Sequence, residues 1–201
     1  MSKIEIIWDK LFEYWKTFEP SFVGCNVATQ KEVLELEKYF QFKLPVDFKE
    51  SLQRCNAYPI EPTNVIKSSC FMTGGAGTLY TIDEIQTSHQ DFKEYMFDGF
   101  AYKHIDTKII PKDIVWDNAW IPIYSWNCDE LALLDLRENI GEQYGQVLYL
   151  DQEYDTLGVW AKSYEEFLKS IADAILDHGA FNHDDMKNVR DRINKETKIA
   201  K

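Results

Sequence analysis

Two apolar runs with a polar break between them do most to limit what this chain can fold into. They are Trp120-Ile121-Pro122-Ile123 and Leu131-Ala132-Leu133-Leu134-Asp135-Leu136, with Trp126-Asn127-Cys128-Asp129-Glu130 in the gap. Runs this short, rich in branched and aromatic residues and closed by a turn-forming stretch, read as a β-hairpin. Gly145-Gln146-Val147-Leu148-Tyr149-Leu150 and Leu157-Gly158-Val159-Trp160-Ala161 repeat the pattern, so residues 120–136 and 145–161 form the strands of one sheet.

Helices flank that sheet. Ile4, Ile7, Trp8, Leu11, Phe12, Trp15 and Phe18 recur at helical spacing, which predicts an amphipathic helix over 4–18. Thr29 followed by Glu32 is a capping box for a second helix, with Val33, Leu36 and Phe40 as its apolar stripe. A third begins at Leu44-Pro45, where proline's missing N–H costs nothing in the first turn. Residues 65–72 read as a strand, Leu79 to Ile82 lead into a helix near Asp83, and 98–118 lack clean periodicity and read as a long functional or irregular loop. Ser163 and Glu166 start a helix whose buried face is Tyr164, Phe167, Leu168, Ile171 and Ile175, ending near Gly179. Asn182 caps a last helix with a narrow stripe of Met186, Val189 and Ile193.

The strand series with its following Ser163-Tyr164-Glu165-Glu166-Phe167-Leu168 helix resembles the C-terminal half of the SUKH superfamily, the proteins similar to the yeast cell-wall-assembly regulator. The Thr29-led helix, the Leu44-Pro45 step and the Phe48/Leu52 helix resemble its N-terminal half. Where the family often has an Asn-Gly-Gly-type turn, this chain reads Cys55-Asn56-Ala57-Tyr58-Pro59 and keeps only the asparagine. The resemblance implies an α+β fold, with a twisted, mainly antiparallel sheet packed by N- and C-terminal helices. It also implies a non-catalytic protein that binds and neutralises a cognate toxin domain, a basic nuclease being one such target, or else a housekeeping module that binds an endogenous partner. Residues 1–179 would be the SUKH-like domain and 180–201 an appended helical tail, packed intramolecularly or used in association.

Composition narrows the function classes. With 201 residues the chain has enough volume for one core, burying about 70% of its unfolded surface. A net charge of −12 argues against a nucleic-acid binder, since phosphate contacts need surplus Lys and Arg. It suits a basic protein partner equally as well as plain solubility. No apolar run approaches the length of a membrane span, and acids interrupt the N-terminal apolar stretch, so the expected home is the cytoplasm. Cys25, Cys55, Cys70 and Cys128 are scattered without a C-x-x-C pair, and free thiols are expected. Residues 184–201 hold six Lys/Arg and four Asp/Glu, a basic tail on an acidic body.

No constellation for catalysis stands out. Gly74-Gly75-Ala76-Gly77 lacks the Lys-Ser/Thr of a phosphate cradle and reads as a turn. His178, His183, Asp184 and Asp185 have ligand chemistry, but Gly179 breaks the helix between the imidazoles, so solvated polar residues are expected rather than a metal site. No G-x-S-x-G elbow occurs, and no cofactor is expected.

What remains is acidity around the hairpins. Between Asp129 and Glu166 lie ten acids and only two bases, Arg137 and Lys162. Asp129, Glu130, Asp151, Glu153 and Asp155 fall at strand connections where side chains reach solvent, interleaved with Tyr124, Trp126, Tyr144, Tyr149 and Tyr154. Carboxylates beside rings suit an interface that receives Lys and Arg, so Tyr124, Trp126, Asp129, Glu130, Asp151, Glu153 and Asp155 are the candidate partner-binding residues. The competing reading is a solvated acidic edge whose aromatics face the core. Trp120, Pro122, Asp135 and Leu136 match family motif positions and are expected to be structural. Asp135, alone in an apolar run, would then accept hydrogen bonds from loop N–H groups.

Overall fold

Most of the described helices begin where the sequence supplies a side-chain cap. The computed structural model describes residues 1–56, 77–95, 102–105, 110, 114, 116–126, 129–138 and 144–199. Helix α1 (Lys3–Phe18) opens on a reciprocal Ser2/Glu5 box, and α2 (Gln30–Phe40) on the Thr29/Glu32 box. Helix α3 (Val46–Arg54) has Pro45 just ahead of its first residue, with no side-chain cap. Strand β1 (Thr78–Leu79) precedes α4 (Ile82–Tyr95), whose start is held by Thr81 and Glu84 bonding to each other's amides at 2.7 and 3.1 Å. Strands β2 (His104–Ile105), β3 (Trp120–Trp126), β4 (Glu130–Asp135), β5 (Gln146–Asp151) and β6 (Thr156–Ala161) follow. Helix α5 (Tyr164–His178) ends at Gly179, whose φ of 94° is the left-handed conformation glycine takes without strain. Helix α6 (His183–Ile199) starts with Asn182 accepting from the Asp184 and Asp185 amides.

The fold is α+β. Among the described residues, six strands lie in the order β1-β3-β4-β5-β6-β2, antiparallel except that the edge strand β2 runs parallel to β6. Within the stretch expected to be irregular, His104 and Ile105 pair with Thr156 and Leu157, a strand too short to leave a periodic signal. The strand expected over 65–72 and all but Gly77 of the turn expected over 74–77 lie outside the described residues.

Both faces of the sheet are buried, and this is why its central strands read as apolar runs rather than alternations. One face, with Ile121, Ile123, Ala132, Leu134, Val147, Tyr149 and Trp160, packs against α1, α2, α3, α5 and α6. The other, with Trp120, Leu131, Leu133, Leu148, Leu150 and Leu157, is covered by Ile110, Phe92, Tyr102, Ile105, Ile114 and Trp116. Trp8, Leu11, Phe12 and Trp15 bury the α1 stripe, and Trp8 Nε1 donates to Ser51 Oγ at 2.9 Å. Ser51 Oγ lies 3.0 Å from the Tyr164 hydroxyl, so one buried polar chain joins α1, α3 and α5.

One expectation about the cysteines is overturned. Cys25 and Cys55 are joined by a disulfide, their Cα atoms 5.0 Å apart. The α1–α2 loop runs back beside the end of α3, where Ala28 N–H donates to Leu52 O at 2.9 Å and Asn56 N–H to Asn26 O at 2.7 Å. Those backbone bonds bring together two cysteines 30 residues apart, which spacing alone does not reveal.

Candidate interaction surface

Strand register sets the geometry of the acidic region. Glu130 begins β4 and pairs directly with Asp151 at the end of β5, so the β3–β4 and β5–β6 turns meet at one end of the sheet. Gln152 N–H donates to Asp129 O at 3.0 Å, tying the two turns together. Asp155 takes the left-handed conformation at φ 52°, and its carbonyl receives the Lys103 and His104 amides at 2.9 and 3.0 Å. Its carboxylate forms an ion pair with Lys103. Asp129, Glu153 and Tyr154 are exposed at this end, Tyr154 by 48%.

Four of the candidate residues are not on the surface, contrary to the expectation from sequence. Tyr124 is fully buried with its ring edge-on to Trp160 and Phe167, at 5.9 and 5.8 Å. Trp126 is 2% exposed and meets Phe181 at 6.1 Å. Glu130 and Asp151 belong to strands rather than to turns, and their side chains lie under α6 at 9% and 0% exposure. The cause is that this face of the sheet is roofed by α5 and α6 to its very end.

Beneath α6 the acids form a network. The Tyr149 hydroxyl bonds to Glu130 and, at 2.8 Å, to Asp151 Oδ2, while the Tyr154 amide holds Asp151 Oδ1 at 2.9 Å. Arg190 of α6 reaches Asp151 at 3.3 Å and Glu130 at 3.8 Å, with its guanidinium 3.9 Å from the Tyr154 ring centroid. Thr156 Oγ1 bonds to Asn194 Oδ1 at 3.2 Å, and Arg192 donates to the Trp160 carbonyl at 2.7 Å. That carbonyl belongs to a β-bulge, since Val147 and Leu148 pair with Ala161 and Val159 and leave Trp160 unopposed. Burial pushes the Glu130 carboxyl above its ordinary range, and neighbouring Asp151 adds to this, against the opposing pull of Tyr149 and Arg190. Burial, with the two carboxylates beside it, also pushes the Tyr149 phenol far up, so it keeps its proton as a donor.

The motif residues occupy the opposite end of the same strands. Asp135, 2% exposed, receives the Arg137 Nε and Nη2 at 2.8 and 2.7 Å, the Arg137 amide at 3.2 Å and Gln146 Nε2 at 2.9 Å. Arg137 lies 5.0 Å over the fully buried Trp120 ring. Pro122 sits beside a bulge in β3, and Leu136 is buried in the helix-facing core. His178 and Asp185 are 3.0 Å apart across the α5–α6 joint. His89, at 7% exposure, bonds to the Asn118 carbonyl at 3.0 Å, and burial lowers its affinity for a proton.

Arg190 and Gly158 were not singled out from sequence, and Tyr149 entered only as one of the aromatics interleaved with the acids. For Arg190 a signal existed: it falls four residues after Met186 and three before Ile193, on the face of α6 that the apolar stripe turns inward. No helix among the described residues is long and apolar enough to cross a membrane. Comparison with the curated proteins finds no match. The model of the SMI1/KNR4 family (SUKH-1) matches residues 27–170, from the approach to α2 into the first turns of α5, and takes in the whole sheet. With most of its length matched, the chain belongs to the SMI1/KNR4 (SUKH-1) family.

Proposed function

We propose that this protein binds a cognate toxin domain and neutralises it stoichiometrically, without turning over a substrate. The observation that carries this reading is membership of a family that includes immunity proteins. The hairpin end of the sheet offers the contact surface. Asp129 and Glu153 project there beside the half-exposed Tyr154 ring, giving carboxylates for Lys and Arg and an aromatic for packing. Asp155 is already committed to Lys103, and Asp151 and Glu130 to Arg190, so the two free acids steer the encounter.

Reversing Asp129 and Glu153 to lysine tests the surface directly. Association with a cognate toxin domain should slow roughly tenfold at low salt, and its salt dependence should flatten. Rates equal to wild type across ionic strength would put the interface elsewhere. Failure of the protein to protect cells expressing that toxin would favour a regulatory module with an endogenous partner.

A further inference from the structure

Two carboxyl groups placed directly opposite each other on a buried sheet face repel unless a proton or a cation sits between them. Here the acceptors are oriented without help from the cation. The Tyr149 hydroxyl bridges Glu130 and Asp151, and the Tyr154 amide fixes the second oxygen of Asp151 at 2.9 Å. The Tyr154 ring supplies a flat face beside them. All four residues lie inside the family-matched segment 27–170, whereas the guanidinium that fills the space comes from Arg190, outside it. Planar charge, two carboxylates and an aromatic face are the elements with which proteins distinguish arginine from lysine.

We propose that Glu130, Tyr149, Asp151 and Tyr154 form an arginine-recognition site at the hairpin end of the sheet, whose ligand is a guanidinium carried on a basic amphipathic helix and which this chain fills in cis with Arg190. The seat is shaped for a helix as well as for its arginine. Gly158 lacks the Cβ that would collide with Ile193, Thr156 meets Asn194, and the bulged Trp160 carbonyl meets Arg192. Helix α6 therefore competes with any partner that presents an arginine to this site. The assignment goes beyond toxin neutralisation and does not depend on it, because the site can be read without any toxin.

The test uses the full chain and small cations as probes. Arg190→Ala should lower Tm by roughly 5–15 °C, since it leaves two buried carboxylates without their cation. Millimolar ethylguanidinium should restore part of that loss saturably, ethylammonium should not, and wild type should respond to neither. Adding Asp151→Asn to Arg190→Ala should abolish the rescue. Arg190→Lys, which keeps the charge and guards against a variant that does not fold, should still lose roughly 2–6 °C because an ammonium cannot lie flat on Tyr154 while reaching both acids. An unchanged Tm for Arg190→Lys would overturn the assignment. So would an Arg190→Ala rescue that is absent, equal with ethylammonium, or equal in wild type.

Discussion

Replacing Gly158 with alanine would put a methyl group where Ile193 already packs. The added Cβ falls well inside contact distance of Ile193 Cγ2 and 3.5 Å from its Cβ and Cγ1, whereas carbons settle at about 3.5–4.0 Å. Ile193 is 1% exposed and β-branched, so it has one favoured rotamer in a helix and no room to turn away. Overpacking of this kind costs about 1–3 kcal/mol. Losing a glycine from the unfolded chain returns about 0.4–1 kcal/mol. The net loss of roughly 1–2 kcal/mol corresponds to a Tm lower by about 2–8 °C for a chain of this size. Thermal unfolding followed by circular dichroism would read it, alongside Ile193→Ala, expected to cost about 2–5 kcal/mol alone. The double variant should be more stable than the sum of the two by about 1–3 kcal/mol, because the new methyl then enters space that Ile193 has vacated. Strict additivity, or a Gly158→Ala chain more stable than wild type, would show that α6 does not seat on β6 as described.

Further outcomes follow from other parts of the molecule. Burial holds the Glu130 carboxyl above its unfolded range, so what it contributes to stability is present at low pH and lost as pH rises through its folded value; Glu130→Gln should therefore gain Tm relative to wild type as pH rises above the ordinary carboxylate range of about 4, and a constant difference would contradict this. Asp135→Ala leaves the Arg137 guanidinium, 10% exposed, without its buried partner and should cost about 3–5 kcal/mol in denaturant unfolding; a loss under 1 kcal/mol would show that water replaces the carboxylate (roughly the surface-pair value). The Cys25 and Cys55 peptides should resist alkylation until the protein is reduced, and reduction should lower Tm by about 10 °C, as expected for a crosslink spanning 30 residues. Ready alkylation of both before reduction would refute the bond.

Helix starts were legible because caps are local chemistry: Thr29 with Glu32 and Asn182 with its two following amides act within one turn. The central strands were legible because both faces of the sheet are covered, which turns β3, β4 and β5 into apolar runs. The acidic ends were misplaced for a related reason. Glu130 and Asp151 look like turn residues beside Asp129 and Glu153, and only the register and the roof of α6 decide that one pair is buried and the other exposed. The same applies to the disulfide and to Arg190. Each pairs residues brought together by a packing arrangement, the loop beside α3 in one case and α6 over β6 in the other, that no short window of sequence encodes.

Titrating the protein into its cognate toxin while following toxin activity tests the central claim most directly. A stoichiometric binder lowers activity linearly to an end point at one molecule per toxin, and the Asp129→Lys/Glu153→Lys chain reaches the same end point more slowly. Protection well below equivalence would mean turnover and an enzyme, and undiminished activity at excess would remove neutralisation as the function.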